Sequence, residues 1–391
     1  MDQSIKEMAR ELKEYTIGLR RHFHMYPEPA MEEFQTAKRV KEELQSMGIS
    51  YETVAGTGVV AVIEGKAKGL VVALRGDMDA LELTDEKDVP YKSRKEGLCH
   101  ACGHDAHTAM LLTAAKILNE KKSEFSGIVK LVFQPGEESI IGAKAMMESS
   151  NFMDDVDGIF GMHMMITLPV GKIAYSEGAS AASADGFRIH VQGRGGHGAS
   201  PQFTVDAGLA AGAIAVNAQS VVSRDIPPDA MGVISFGVIN AGSRYNIIAD
   251  EALLEGTIRS YDNKVRKALC EGVERVAVEI AKGYKAEAKV TFFSSVNPLI
   301  NDAGHTRISV ESAAKVVGED NVEKVPPMTG SEDFAEFLTK ARGVYVSLGC
   351  RNEEKGIVNF HHHPKFDIDE DALPIGVAMY VQYACDFLSG Y

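Results

Sequence analysis

The sequence lacks any block or stripe of basic residues and any long apolar run. Lys and Arg total 41 against 55 Asp and Glu in 391 residues, so the formal net charge is −14. Nucleic acid and anionic membrane surfaces are therefore poor candidate partners, because both attract clustered positive charge. No stretch approaches the ~18 apolar residues of a membrane span, so we expect no membrane segment.

The chain also lacks the features of a secreted protein. Its first 15 residues are charged and contain no apolar run that could serve as a signal peptide. Five cysteines, an odd number, are typical of a reduced compartment and do not indicate a disulfide framework. We therefore predict a cytoplasmic protein. Ordinary contents of hydrophobic residues (45%) and charged residues (25%) argue against disorder.

The length and the hydrophobic pattern predict two domains. A chain of 391 residues is too long for one ordinary core. In residues 1–182 and 295–391, apolar strand patterns alternate with helical ones, which predicts an α/β domain with a largely parallel sheet. Residues 183–294 follow the order strand–helix–strand–strand–helix–strand, which is typical of a ferredoxin-like α+β module. We predict that this smaller domain is inserted into the larger one.

Acid, imidazole and thiol side chains collect after the predicted buried strands. The carboxyl ends of the strands in an open α/β sheet form one edge, and chemistry usually takes place there. We therefore expect these side chains to lie close together. They belong to Asp77, Asp79, Cys102, His104, Glu137, Glu138, His163, His361, His362 and His363.

The densest group, CHACGHDAHTAM at residues 99–110, allows several interpretations. A structural zinc knuckle needs a second ligand pair at knuckle spacing, and none follows. A thioredoxin-like dithiol is expected to open a helix after the first strand of a small domain, whereas histidines flank Cys99 and Cys102. Taken singly, the other groups could be a core histidine, a solvated turn or helix caps. One metal site explains all of them together.

The adjacent glutamates Glu137 and Glu138 favour a hydrolase. One carboxylate can bind metal while its neighbour takes the proton from a metal-bound water. Mixed thiol, imidazole and carboxylate donors suit zinc, manganese, cobalt or nickel and not calcium or magnesium. The chain contains no Gly-rich phosphate loop, dinucleotide fingerprint or Gly-x-Ser-x-Gly elbow. A metal-stabilised binding module and a Cys99–Cys102 redox protein are the alternatives from other classes.

Several segments, taken in order, resemble a known family. They are ALRGDMDAL, HACGHDAHTAMLL, FQPGEE, GMH, GRGGHGASP, GTIRS, GSEDF and HHHPKFDIDEDAL. The sequence resembles the metal-dependent amidohydrolases of metallopeptidase family M20, subfamily D, over roughly residues 5–388. That group includes aminoacylases, hippurate hydrolases, plant auxin-conjugate hydrolases and N-acetyldiaminopimelate deacetylases. The resemblance implies hydrolysis of the amide bond of N-acyl amino acids. A dipeptidase or a dedicated deacetylase, such as one for N-acetyldiaminopimelate, is the alternative within the class.

The resemblance also implies a dinuclear metal site in the α/β domain. The two divalent ions would be zinc or manganese, with cobalt or nickel as alternatives. Glu137 matches the general base, and Asp79 matches a carboxylate that orients a ligand. His362 is the ligand within the triple histidine because the family's ligand stands two residues before the proline, here Pro364. The implied ligands are Cys102, His104, Glu138, His163 and His362.

The inserted domain of such relatives acts as a lid and dimerisation domain. His197 matches a histidine that reaches the active site of a partner subunit and helps to hold the oxyanion. Asn246 and Arg259 match lid residues associated with substrate. The resemblance therefore implies a homodimer. The helix expected at residues 202–222 is rich in Ala and Gly, which suits close packing either at such an interface or on the domain's own sheet. Relatives often have histidine at the position of Gln202 and proline at the position of Ala249. Both positions lie on the lid, so these differences concern substrate preference and not the metal ligands.

Overall fold

A computed structural model describes residues 2–390, with side chains described from residue 5 onward. No helix of this described part is both long and apolar enough to cross a membrane. The helices are α1 (Asp2–Glu11), α2 (Lys13–Met25), α3 (Phe34–Ser46), α4 (His104–Glu120), α5 (Gly142–Ser149), α6 (Ala207–Arg224), α7 (Asn263–Gly283), α8 (Ala303–Val317), α9 (Phe334–Phe337) and α10 (Leu373–Leu388). The strands are β1 (Ser50–Val54), β2 (Gly58–Glu64), β3 (Val71–Asp77), β4 (Ile128–Gln134), β5 (Gly158–Pro169), β6 (Ile173–Tyr175), β7 (Gly178–Ala181), β8 (Ala184–Gln192), β9 (Gly196–His197), β10 (Gly232–Ala241), β11 (Ile247–Ile248), β12 (Glu251–Ser260), β13 (Glu287–Val296), β14 (Leu299–Asn301), β15 (Val322–Lys324) and β16 (Gly343–Arg351).

The first of two compact units covers the described parts of residues 1–180, 300–326 and 333–391. Its eight-stranded sheet has the order β1-β2-β4-β3-β5-β16-β6-β15. The central strands β4, β3, β5 and β16 are mutually parallel, whereas β1 and β2 form an antiparallel margin. The predicted α/β fold with a largely parallel sheet is therefore confirmed for this unit.

The centre of this sheet is buried on both faces, which explains the continuous apolar runs in the sequence. All seven residues of β3 are buried, and α4 is buried along most of its length. Helix α4 begins at His104, directly after Gly103, whose φ of +98° lies in the left-handed region that glycine tolerates. This turn places the amino end of α4 beside β5, since a Cβ at Gly103 would lie 3.0 Å from the Cβ of Met164.

The second compact unit covers residues 181–299 and 327–332. Its four-stranded antiparallel sheet has the order β10-β12-β8-β13, and α6 and α7 pack on it to form a separate core. The chain order β8, α6, β10, β12, α7, β13 is that of a ferredoxin-like module. Helix α6 begins later than the sequence pattern suggests, because the Asp206 side chain accepts a hydrogen bond from Leu209 N (2.9 Å) and caps the helix there.

Candidate metal centre

Ligand-type atoms converge at the carboxyl edge of the large sheet in the first unit. Three groups share members, and within each group the nitrogen, sulfur or oxygen atoms lie within 4.8 Å of one another. We call these six residues the edge cluster. The groups are Cys102–His104–His163, Cys102–Glu138–His362 and His104–Glu137–Glu138. The structure thus brings together side chains that come from four separate parts of the sequence.

His104 is oriented by Asp79. Its Nδ1 lies 2.9 Å from the backbone oxygen of Asp79 and 3.2 Å from Asp79 Oδ1. A carbonyl oxygen only accepts, so Nδ1 carries a proton and Nε2 faces the cluster. Nε2 is buried and has no hydrogen-bond partner among the described residues. It lies 3.9 Å from Glu137 Oε2 and 4.0 Å from Glu138 Oε1.

The surroundings of His104 favour a cation. Burial alone would lower the pKa of His104, yet the charge of Asp77 and the hydrogen bond to Asp79 hold this pKa well above its usual value. A metal ion beside Nε2 would meet the same need for positive charge between the carboxylates.

Cys102 and His163 form the second side of the cluster. Cys102 Sγ lies 3.4 Å from His163 Nε2. His163 Nδ1 donates to the backbone oxygen of Met164 (2.6 Å), so the unprotonated Nε2 faces Cys102 Sγ. Burial, followed by the charge of Glu138, raises the pKa of Cys102 to about 12. A thiolate at this position therefore requires a neighbouring cation such as a metal ion.

Glu138 and His362 complete the cluster. Glu138 Oε1 lies 3.4 Å from His362 Nε2, and this contact raises the pKa of His362. His362 has a φ of +63°, an uncommon backbone conformation for a residue other than glycine. Its amide donates to the backbone oxygen of Ala101 (2.8 Å), which brings His362 next to the segment that carries Cys102.

The donor set fits a transition metal and does not fit calcium or magnesium. It combines a thiol, three imidazoles and two carboxylates, whereas calcium and magnesium bind oxygen donors. His104 Nε2 is buried without a hydrogen bond, and Glu138 Oε1 is buried with only the 3.4 Å contact to His362 Nε2. Buried polar atoms of this kind call for an explanation, and a bound cation supplies one.

Sequence reasoning placed Asp77 at this edge but missed Arg75 and the role of His107. Arg75 Nη1 lies 2.6 Å from Asp77 Oδ2, and Asp77 Oδ1 lies 2.5 Å from His107 Nδ1. Burial alone would raise the pKa of Asp77, but Arg75 holds it well below the usual value. The motif contains His107, yet its partners lie on β3 and β5 and cannot be identified from spacing along the chain.

The remaining predicted site residues lie in the second unit. His197 on β9 pairs with Ile247 on β11, and Gly198 N donates to Asn246 O at 2.9 Å, so His197 and Asn246 occupy adjacent segments. His197 Nδ1 accepts a hydrogen bond from Ala199 N at 3.0 Å. Arg259 on β12 has a buried Nη1 atom without a hydrogen-bond partner among the described residues, and burial lowers the pKa of its guanidinium.

Comparisons with known proteins identify the family of the chain. The chain belongs to peptidase family M20/M25/M40, whose family model matches residues 73–386. It is 38% identical over 389 residues to thermostable carboxypeptidase 1 of Saccharolobus solfataricus, with 98% of each chain covered. It is 37% identical over 371 residues to the N-acetylcysteine deacetylase of Bacillus subtilis, covering 94% of this chain and 95% of that protein.

A solved structure shares both the fold and the sequence relationship. The YXEP protein of Bacillus subtilis is described as a dinuclear metal binding peptidase of the M20 family. It matches with a TM-score of 0.84 and 32% identity over 98% of this chain and 100% of that chain. The chain is therefore a hydrolytic enzyme, and the predicted family relationship is confirmed.

Proposed function

We propose that the protein hydrolyses the amide bond of N-acyl amino acids and releases a carboxylic acid and a free amino acid. The observation that carries this proposal is the edge cluster. Two of its buried metal-ligand atoms, His104 Nε2 and Glu138 Oε1, lack geometrically good hydrogen bonds, and they lie beside the second carboxylate, that of Glu137. The deacetylase relative supports an N-acyl amino acid substrate, and the carboxypeptidase relative supports a dipeptide as the alternative. We place the enzyme in the cytoplasm, since all five cysteines are free thiols.

Two divalent transition-metal ions, zinc or manganese, belong to this proposal. When bound, such ions lower the pKa of water towards about 7 and polarise the amide carbonyl. Asp79 positions two ligands at once, because it accepts hydrogen bonds from His104 Nδ1 and from Glu138 N (2.9 Å). The proposed ligands are Cys102, His104, Glu138, His163 and His362.

Glu137 is the proposed general base. Its side chain is largely buried, and its Oε2 lies 3.9 Å from His104 Nε2, inside the edge cluster. A water molecule that attacks the amide carbonyl must lose a proton, and the Glu137 carboxylate accepts it. The same carboxyl group then delivers the proton to the leaving amine nitrogen.

His197 and Arg259 are the proposed substrate-facing residues of the second unit, together with Asn246. Because a backbone amide only donates, His197 Nδ1 is unprotonated and the proton lies on Nε2. This exposed N–H is suited to stabilising an oxyanion. The guanidinium of Arg259, with its unpartnered buried nitrogen, is suited to binding the carboxylate of the amino acid product.

We further propose that the second unit is a lid and dimerisation domain that joins two copies of the chain. It exposes large apolar side chains on and near α6, and β10 is an edge strand of its sheet. Such surfaces favour pairing with another protein surface. The exposed apolar residues include Phe203 (71%), Leu209 (59%), Val216 (74%) and Tyr245 (102%).

The substitution Glu137→Gln tests the reaction. It keeps the shape of the side chain but removes the proton acceptor, so we expect kcat for an N-acetyl amino acid to fall at least ~100-fold. Metal content, measured by elemental analysis, should stay close to two ions per chain (our expectation for the dinuclear site). The matched variant Glu138→Gln should instead lose metal. Near-wild-type activity of Glu137→Gln would remove Glu137 from this role.

Mixed dimers test the proposed assembly. Inactive His197→Ala and inactive Glu137→Gln chains are dissociated, combined and allowed to reassociate, with light scattering to verify dimers. If His197 acts in the active site of the partner subunit, one site of each mixed dimer contains both native residues, and we expect part of the activity to return. Mixed dimers without any activity would show that His197 does not act across the interface.

A further inference from the structure

His107 is a buried imidazole whose two nitrogens are both engaged. Nδ1 lies 2.5 Å from Asp77 Oδ1, and Nε2 lies 2.8 Å from the backbone nitrogen of Met164. A backbone amide can only donate, so Nε2 must accept and the proton must be on Nδ1, where it is donated to Asp77. His107 is therefore not available as a ligand, although its donor atom lies within 4.8 Å of those of Asp77 and His104.

The other side of this contact is anchored in the sheet. Asp77 is held by Arg75 Nη1 (2.6 Å), and Arg75 is in turn held by Gln134 Oε1 (2.7 Å) and Asp333 Oδ1 (3.1 Å). Both Arg75 and Asp77 are buried. His107 thus connects a buried ionic network on β3 and β4 to the backbone of β5.

The backbone of Met164 is a meeting point for three imidazoles. Strand β3 pairs with β5 only over Gly158–Gly161, so Met164 lies beyond the end of that ladder. Its N–H is donated to His107 Nε2. Its carbonyl oxygen accepts from His163 Nδ1 (2.6 Å) and from His361 Nε2 (2.9 Å). A shift of this one residue would therefore change the orientation of His163.

We propose that His107 is a positioning residue, which holds Met164 in place so that His163 presents its unprotonated Nε2 to the metal. This inference rests on the metal site proposed above. It assigns the histidines of the cluster two kinds of task. Nε2 of His104 and of His163 is unprotonated because each Nδ1–H donates a hydrogen bond to a backbone carbonyl oxygen. Both nitrogens of His107 instead form hydrogen bonds that hold the surrounding structure.

Two substitutions at residue 107 separate the two bonds. In His107→Asn, the shorter amide can reach Asp77 but not Met164 N, so the hydrogen bond to the backbone of β5 is lost. In His107→Gln, the amide oxygen reaches the position of Nε2 and can accept from Met164 N. We expect His107→Asn to weaken binding of zinc by about 10-fold or more, as loss of an outer-shell partner does, and His107→Gln to restore much of that loss.

His305→Asn is the matched control. His305 is a buried imidazole of the same unit that bonds Tyr383 OH (2.7 Å) and stacks on Phe387. We expect it to lower thermal stability without weakening zinc binding. Zinc affinity is measured by chelator competition, and unfolding temperatures of the metal-free variants show whether the fold is retained.

The tautomer provides a second readout that does not depend on metal. In metal-free wild-type protein with ¹⁵N-labelled histidine, we expect the resonances lost in His107→Gln to be those of a neutral Nδ1–H imidazole. An Nε2–H tautomer, or zinc affinity of His107→Asn equal to wild type, would overturn the inference. If His107→Asn does not fold, the wild-type tautomer and the zinc affinity of His107→Gln decide. Failure of wild-type protein to bind zinc would instead refute the proposed metal site, and the tautomer result would still stand.

Discussion

The segment CHACGH contributes residues to two groups of metal-ligand residue types. The two groups differ in how their buried polar atoms are satisfied. In the edge cluster, His104 Nε2 and Glu138 Oε1 are buried without a geometrically good hydrogen bond. The second group contains His24, Asp85 and Cys99, whose donor atoms also lie within 4.8 Å of one another. Residue type and proximity therefore do not distinguish the two.

The second group already contains a cation. Lys87 Nζ lies 2.8 Å from His24 Nε2, 3.6 Å from an Asp85 oxygen and 2.8 Å from Phe366 O. We call His24, Asp85, Lys87 and Cys99 the lysine cluster. His24 Nδ1 is also engaged, with Asp105 Oδ2 at 2.6 Å. The ammonium group occupies the position that a metal ion would need.

The difference teaches that a metal site depends on unused lone pairs more than on ligand residues alone. In the lysine cluster, the buried charges and imidazole nitrogens are satisfied within the protein, as buried polar groups usually are. In the edge cluster, His104 Nε2 has no hydrogen-bond partner among the described residues, and Glu138 Oε1 has only its 3.4 Å contact with His362 Nε2. The neighbouring cysteines Cys99 and Cys102 belong to one cluster each, so the comparison can be tested within a single short segment.

The largest effect is expected for Cys102→Ser. A serine hydroxyl is a much weaker ligand than a thiolate, so we expect metal content to fall and kcat/KM to drop at least ~100-fold, if the metal supplies several kcal/mol of transition-state stabilisation. Cys99→Ser is the matched control, because Cys99 is a buried thiol whose pKa burial raises to about 12. We expect that variant to keep its metal and most of its activity.

Equal loss in both cysteine variants would contradict the distinction between the clusters. A redox function of the Cys99–Cys102 pair predicts that result. Metal analysis and kinetics of the two variants, purified side by side without chelator, separate these interpretations.

A smaller effect is expected for Lys87→Ala, which removes the internal cation. Breaking a buried charged network is strongly destabilising, so we expect the free energy of unfolding to fall by about 3 kcal/mol in chelator-containing buffer. The vacated position is surrounded by His24, Asp85 and Cys99. We therefore expect zinc titration to show one more binding event than wild type, with partial recovery of stability.

Lys130→Ala is the control for Lys87→Ala. Lys130 is also a buried lysine of the first unit, and it bonds Phe152 O (2.7 Å) and Asp155. These two partners are a backbone oxygen and a carboxylate, so we expect destabilisation without additional zinc binding. Unchanged zinc stoichiometry in Lys87→Ala would mean that vacating the cation position is not sufficient to create a site.

The sequence predicted the large sheet and the convergence at its edge for a physical reason. Strands buried on both faces produce apolar runs, and the polar residues that end these runs must lie at one edge. This rule places Asp79, Glu138 and His163 together without knowledge of their contacts. It also places Cys102 and His104 there, because they lie at the start of the helix that follows β3.

What could not be predicted depends on contacts across the fold. The Nδ1 proton of His107 is set by a backbone amide on β5, and no pattern along the chain shows which amide that is. Lys87 and Asp85 are charged residues of a loop, yet both are buried beside His24. The sequence pattern predicts a start of α6 at residue 202, because the helical pattern continues on the amino-terminal side of the capping residue Asp206.

The hydrogen bond from His362 N to Ala101 O joins parts of the chain that lie about 260 positions apart. A metal ion held by both Cys102 and His362 would strengthen this connection and act as a cross-link between distant segments. Closing such a long loop in the unfolded chain carries a large entropic penalty, as it does for a disulfide of similar span. The bound metal would thus stabilise the tertiary structure in addition to its role in the reaction.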